Sequence, residues 1–288
     1  MKPTRRITPW LFLAPGLVVF GAAVLLPMVL TVGFSFTEWN GFGPMSFVGL
    51  DNYARAIGDE LFRDSFVHVV IYIAATIILE VGVGLGLAGL ITMRGAGMWF
   101  RVAIFVPVML PLVVVAVLWS FVYNPDFGLI NGALGALGLE ELQRIWLGDP
   151  ATALLAISVV SGWVFAGFYM VIFYAAFRQI PMEIVEAAKL DGASEWALFR
   201  HIKVPMIRGA IGVAILLCVT GGFQGFDLFF VLTNGGPYGS TEIPTTLLVK
   251  TVFQKSDVGY GSAMAVLLTV IVVGVGLMYA QARRRSEQ

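Results

Sequence analysis

Long apolar stretches separated by polar connections make up most of this 288-residue chain. Six windows each hold about 20 or more mostly apolar residues, the length a helix needs to cross a bilayer. They run over 10–36, 66–93, 102–123, 151–177, 207–232 and 262–281. The pattern predicts an all-α integral membrane bundle of six transmembrane helices. Pro15 and Pro27 fall inside the first window, Pro107 and Pro111 inside the third. Each removes a backbone donor and bends its helix. Such a bend either serves packing curvature or lies where a neighbouring helix or a water-filled cavity satisfies the freed carbonyls.

The connections carry their own signals. The first, 37–65, is long and polar. The third contains Asn124-Pro125 and a glycine-rich stretch through Gly138, which predicts a turn and a short helix. The fifth, 233–261, opens with TNGGPYGST and then becomes amphipathic. Leu247, Leu248, Thr251 and Val252 share a face there, predicting a short helix at the outer membrane surface.

The fourth connection, 178–208, is the one segment whose composition lipid contact does not explain. Pro181 suits a helix start, with Glu183 and Glu186 near the positive end of that helix. Gly192 suits a left-handed stop, and Ser194 can cap a second helix in which Trp196, Phe199 and Ile202 share a face. Pro205 then ends or bends that helix. A helix-turn-helix is expected, with Ala187 and Ala188 offering a flat surface to an approaching protein. It could also act merely as an amphipathic cap on the bundle.

Composition agrees: 58% of residues are hydrophobic and 12% charged, too greasy a mixture for a soluble domain of this size. Lys2, Arg5 and Arg6 precede the first window, but that window is too long for a signal peptide. Ser35, Phe36 and Thr37 make a poor cleavage site, so the segment reads as a retained helix. Net charge is zero, yet thirteen of the eighteen basic residues lie at the N-terminus, the second and fourth connections and the tail. The positive-inside rule places both termini and 178–208 in the cytoplasm of a multi-pass plasma-membrane protein. The expected organisation is a first helix and external loop over 1–65, a core over 66–281, and a basic cytoplasmic tail over 282–288.

Two acids fall at membrane depth, Glu80 in the second window and Asp227 late in the fifth. A charge at the bilayer centre costs about 2.5–3.5 kcal/mol on insertion scales, so each must face protein or water. Asp227, with Gln224 a turn earlier, reads as part of a polar path, the alternative being a structural hydrogen bond between helices. Glu80 reads equally as path or as helix packing. Gly221, Gly222 and Gly225 open space beside Gln224 and Asp227, and Trp163 and Tyr169 offer either ring faces to the path or anchors at the membrane interface. Gly84, Gly86 and Gly89 follow a nucleotide-loop spacing, but inside a membrane span that reading fails. Gly82 and Gly86 instead predict a close helix contact. His68 reads as interfacial and Cys218 as a small buried apolar residue. No nucleophile set, metal-spaced cluster or nucleic-acid patch is legible.

Glu186-Ala187-Ala188, Gly192 nearby, and Ile202 and Pro205 further on resemble the EAA coupling loop of permease subunits in binding-protein-dependent ABC importers. FVGLDNY at 47–53, NPDFGLIN at 124–131 and FDLFFVLTNGGPYGST at 226–241 are similar to the carbohydrate-uptake branch, of maltose and glycerol-phosphate type. Val204 stands where the motif usually has Leu, and the proline often found a few residues beyond Pro205 is absent.

The resemblance implies a type I ABC importer permease fold and no catalysis by this chain. The expected partners are a second permease, an ATP-binding cassette ATPase dimer, an external binding protein, a carbohydrate and the bilayer, with no nucleic acid. No cofactor is expected in this chain, since ATP and magnesium belong to the partner ATPase. Coupling would use Glu186, Ala187, Ala188, Asp191, Gly192, Ile202 and Pro205. Asn124 and Gly128 resemble lumen-lining positions, joining Gln224, Gly225, Asp227 and Trp163 as the expected substrate path. The alternative is a secondary transporter with Glu80 and Asp227 as an ion or proton relay.

Overall fold

The computed structural model describes residues 8–95 and 97–286, with side chains for 12–95 and 97–282. Lys2, Arg5 and Arg6 lie outside the described residues, as do the side chains of Arg283, Arg284 and Arg285.

The chain begins with α1 (Phe12–Phe34), a two-stranded antiparallel ribbon of β1 (Thr37–Glu38) and β2 (Ser46–Phe47), and α2 (Asp51–Gly58). Next come the long α3 (Glu60–Arg94), α4 (Met98–Met109), α5 (Leu112–Val122) and α6 (Leu129–Ala136). These are followed by α7 (Pro150–Phe177), α8 (Met182–Leu190), α9 (Glu195–Met206), α10 (Arg208–Gln224) and α11 (Asp227–Leu232). The chain continues through α12 (Pro244–Val249) to α13 (Val258–Ser286).

Among the described residues, four helices are long and apolar enough to cross a membrane: α1, α3, α7 and the Val258–Ala282 part of α13. The pairs α4–α5 and α9–α10 are bent by 100° and 71°, and counting each pair as one crossing gives six. The first bend has its cause in proline chemistry. Pro107 sits in the tight turn Val106–Met109, and Pro111, extended at ψ 131°, stands just before α5. In α1, the wide turn Gly21–Leu25 ends two residues before Pro27, which has no N–H to continue the ladder. The fifth apolar window is not one helix. It breaks at Gly225 and Phe226, so Asp227 opens the separate α11.

The chain divides into two compact units, 1–60 with 247–273, and 61–246 with 274–288. In the first, buried Asn52 on α2 donates to the carbonyls of Ser35 (3.0 Å) and Thr37 (2.9 Å). The Ser35 and Tyr53 hydroxyls meet at 2.6 Å. Arg55 pairs with Asp257 at 2.7 Å and lies over the ring of Tyr260, whose hydroxyl donates to Asp59 at 2.7 Å. The Asn and Tyr of FVGLDNY therefore tie α2 to the end of α1.

The second unit is built around α7. Val160, Val164, Met170 and Phe173 are buried there, and Met170 and Phe173 pack with Val81, Ala88 and Ile91 of α3 and Ala214 and Cys218 of α10. Small residues set the spacing. A β-carbon on Gly84 would stand 2.7 Å from that of Tyr169, and one on Gly162 would stand 2.7 Å from that of Leu79. The Gly82/Gly86 contact expected from spacing is corrected here. A β-carbon at Gly86 would meet nothing within 4 Å, and one at Gly82 would meet only Ile77 of the same helix. The wide turn Ile77–Gly82 adds a residue to α3 and rotates the rest of that helix, so Gly84 and Gly89 reach the packed faces instead.

Candidate functional site

Local chemistry makes the 178–208 hairpin. Pro181 stands at the N-cap of α8, one position before its first helical residue. At the other end Gly192 adopts φ +82°. Its N–H donates to Lys189 O, and the Ala193 N–H donates to Ala188 O, each at 3.0 Å. This is the Schellman pairing, and it satisfies the last carbonyls of α8. Ser194 caps α9 by accepting from the Ala197 amide at 3.2 Å. Across the turn Lys189 and Glu195 pair at 2.6 Å, and that hydrogen bond holds the exposed Glu195 carboxyl below its ordinary range.

Glu186, Ala187, Asp191 and Gly192 are exposed on this hairpin, Ala188 is half-buried, and Leu190 projects with 89% of its surface free. Trp196 stacks on Phe199, and the Phe199 ring fills the space above Gly89 of α3 and meets Phe177 edge-on. Leu198 is fully buried. Ile202 is half-buried in the wide turn Phe199–Lys203, and exposed Pro205 lies two residues before the bend at Ile207. The hairpin is anchored to the bundle by one aromatic face and presents its turn outward.

A cavity of about 360 Å³ lies among α3, α7, α10 and α11. Gln224, Gly225 and Asp227 line it, together with Gly221 and Gly222. The break at Gly225 is tied down by Thr245, whose hydroxyl donates to the Gly225 carbonyl. Ring faces come from Phe165, Phe168, Tyr169, Phe226 and Phe229. At its deep end the Tyr72 hydroxyl donates to Ser161 Oγ (2.8 Å), which donates to Glu80 Oε1 (2.7 Å). Cys218 lies beside them and donates to Thr76 at 3.5 Å. This wall combines flat apolar rings with a few directed polar groups.

Asn124, Gly128 and Trp163 are not in that wall. Asn124 Oδ1 accepts from the amides of Asp126 (2.9 Å) and Phe127 (3.2 Å), organising the turn before α6. A β-carbon on Gly128 would run into the backbone of Asn124 and Val122, so the turn itself requires glycine. Trp163 is 42% exposed and meets Trp119 edge-on at 5.8 Å. Tyr72, Ser161 and Phe165 were not legible as cavity residues. The usable signal was a hydroxyl on one apolar helix facing an acid on another. Among the described residues no group of three or more His, Cys, Asp or Glu comes together to hold a metal ion.

Residues 80–287 match the family described as the binding-protein-dependent transport system inner membrane component. This chain belongs to that family. It is therefore an inner-membrane permease subunit, not an enzyme. Its sequence is 38% identical to the probable ABC transporter permease protein YurN of Bacillus subtilis, over 96% of each chain. It is 33% identical to the diacetylchitobiose uptake system permease protein NgcF of Streptomyces coelicolor, over 93% of this chain and 80% of that one. The trehalose/maltose transport system permease protein MalF of Thermococcus litoralis is 31% identical over 96% of this chain and 93% of that one. Among solved structures, a bacterial ABC transporter that imports the acidic polysaccharide alginate has a chain of the same fold. Its TM-score is 0.84 at 21% identity, covering 98% of this permease and 96% of that chain.

Proposed function

We propose that this permease conducts a carbohydrate inward, receiving it on the outer face from a binding protein. It would work with a second permease and a cytoplasmic ATPase dimer engaged by the 178–208 hairpin. The observation that carries the reading is the pairing of two features on one bundle. One is a ring-lined polar cavity at the break between α10 and α11; the other is a capped hairpin that packs on α3 while exposing Leu190. Aromatic faces and isolated hydrogen-bonding groups suit a sugar that must enter and leave again. Full-length relatives named for diacetylchitobiose and for trehalose/maltose uptake support the substrate class. Charge bias supports a hairpin and termini on the cytoplasmic side.

In this account Gln224, Gly225 and Asp227 line the path, while Asn124, Gly128 and Trp163 shape its approaches. Glu186, Ala187, Ala188, Asp191, Gly192, Ile202 and Pro205 build or carry the surface that meets the ATPase. ATP and magnesium act in that partner.

The test is uptake of labelled maltose, trehalose and diacetylchitobiose by the source cell, with this gene deleted and then restored. The reading expects uptake of at least one to vanish and return, with the binding protein still present in the deleted strain. Unchanged uptake of all three would contradict it.

A further inference from the structure

The cavity has a one-sided charge. Glu80 and Asp227 both line it, and among the described residues its wall contains no lysine, arginine or histidine. Glu80 is the deeper of the two, 6% exposed, and its position is fixed twice. The wide turn Ile77–Gly82 carries it on α3, and the Tyr72–Ser161 hydroxyl chain ends on its Oε1. Each hydroxyl in that chain is oriented by the next, so it presents an organised acceptor rather than a mobile one.

We propose that this cavity passes hydroxyl-rich solutes carrying no negative charge and excludes anionic ones, with Glu80 as its deepest hydrogen-bond anchor. The inference rests on the reading of the cavity as the solute path and adds the substrate's charge class to it. A sugar hydroxyl bonds to a carboxyl group without requiring a counter-charge on the solute. A carboxylate, sulfonate or phosphate on the solute would instead have to shed its water in a confined, mostly apolar space that holds two acidic side chains and no counter-charge. No cation among the described residues of this wall would offset that cost. The rings add apolar contact that a neutral sugar face uses without desolvating a charge.

The test uses the assembled importer, with Cys218→Ser to remove the native thiol and Gly221→Cys as reporter. Gly221 lines the cavity, and a β-carbon there meets nothing within 4 Å, so the new thiol fits. Its labelling rate is measured with a cationic trimethylammonium-ethyl methanethiosulfonate and an anionic sulfonatoethyl one, each normalised to a free thiol. The cationic reagent should react roughly tenfold faster, and Glu80→Gln with Asp227→Asn should bring the two rates to within about twofold. Equal rates before neutralisation, or no labelling by either reagent, would overturn the proposal. Charge-blind labelling that blocks uptake would overturn the charge preference alone. Charge-selective labelling that leaves uptake intact would overturn the path reading, and the solute preference with it.

Discussion

The ring of Phe199, on the hairpin between α7 and α10, occupies the space that a side chain on Gly89 of α3 would need. A force applied to the hairpin therefore reaches α3 through direct contact. Phe177 at the end of α7 meets the same ring at 5.9 Å, so two long helices share this anchor.

Gly89→Leu should displace the ring, with an overpacking cost of about 1–3 kcal/mol. The variant should still insert in the membrane but retain less ATPase on purification and lose transport. Adding Phe199→Ala should restore part of both. A Gly89→Leu complex with normal ATPase retention and uptake would show that this contact transmits nothing.

Gly192 tests the turn separately. A β-carbon there meets nothing within 4 Å, so a substitution is strained only by the backbone at φ +82°. Gly192→Val should cost about 1–2 kcal/mol locally. Gly192→Asn should be milder, because asparagine enters the left-handed region more readily. Transport by the valine variant should fall well below that of the asparagine variant. Lys189→Ala should change little, as an exposed ion pair contributes about 0–1 kcal/mol.

Asn52→Leu should act on stability rather than on conduction. It deprives the carbonyls of Ser35 and Thr37 of their donor at a buried site, a loss of about 1–3 kcal/mol. Heating the purified complex should release or unfold it at a lower temperature than wild type. An unchanged melting profile would mean that another group takes over both bonds.

The hairpin was legible because its determinants are local. Proline, a left-handed glycine and a capping serine each act within a few residues; Gly192 and Ser194 occur where the sequence places them, and Pro181 stands at the N-cap, one position earlier than the first helical residue. The membrane spans were legible from length and apolarity. Their breaks were less so: prolines marked the α4–α5 bend, whereas Gly225 was read as open space within one span and the α10–α11 break was not anticipated. The Tyr72–Ser161–Glu80 chain joins residues 81 to 89 apart, and nothing local announces such a bond. For the same reason Gly84 and Gly89 could not be told from Gly82 and Gly86, since only the partner helices reveal which glycines are crowded.

Gln224 and Asn124 were read from sequence as one path, and the structure gives them different surroundings. Gln224→Leu removes a polar group from the cavity wall and should lower uptake several-fold with the complex intact. Asn124→Ala removes a turn acceptor, costing about 0.5–1.5 kcal/mol, and should act first on heat stability. Equal loss of uptake in both, with unchanged stability, would return Asn124 to the path.

The most direct measurement is uptake by proteoliposomes holding this permease, its sister, the ATPase and the binding protein. They are loaded with ATP or a non-hydrolysable analogue, and the ion and proton gradients are collapsed. Uptake of the accepted sugar should require hydrolysable ATP, persist without gradients and fall several-fold in Gln224→Leu. Uptake that continues with the analogue and disappears with the gradients would contradict the account and return Glu80 and Asp227 to the role of an ion relay.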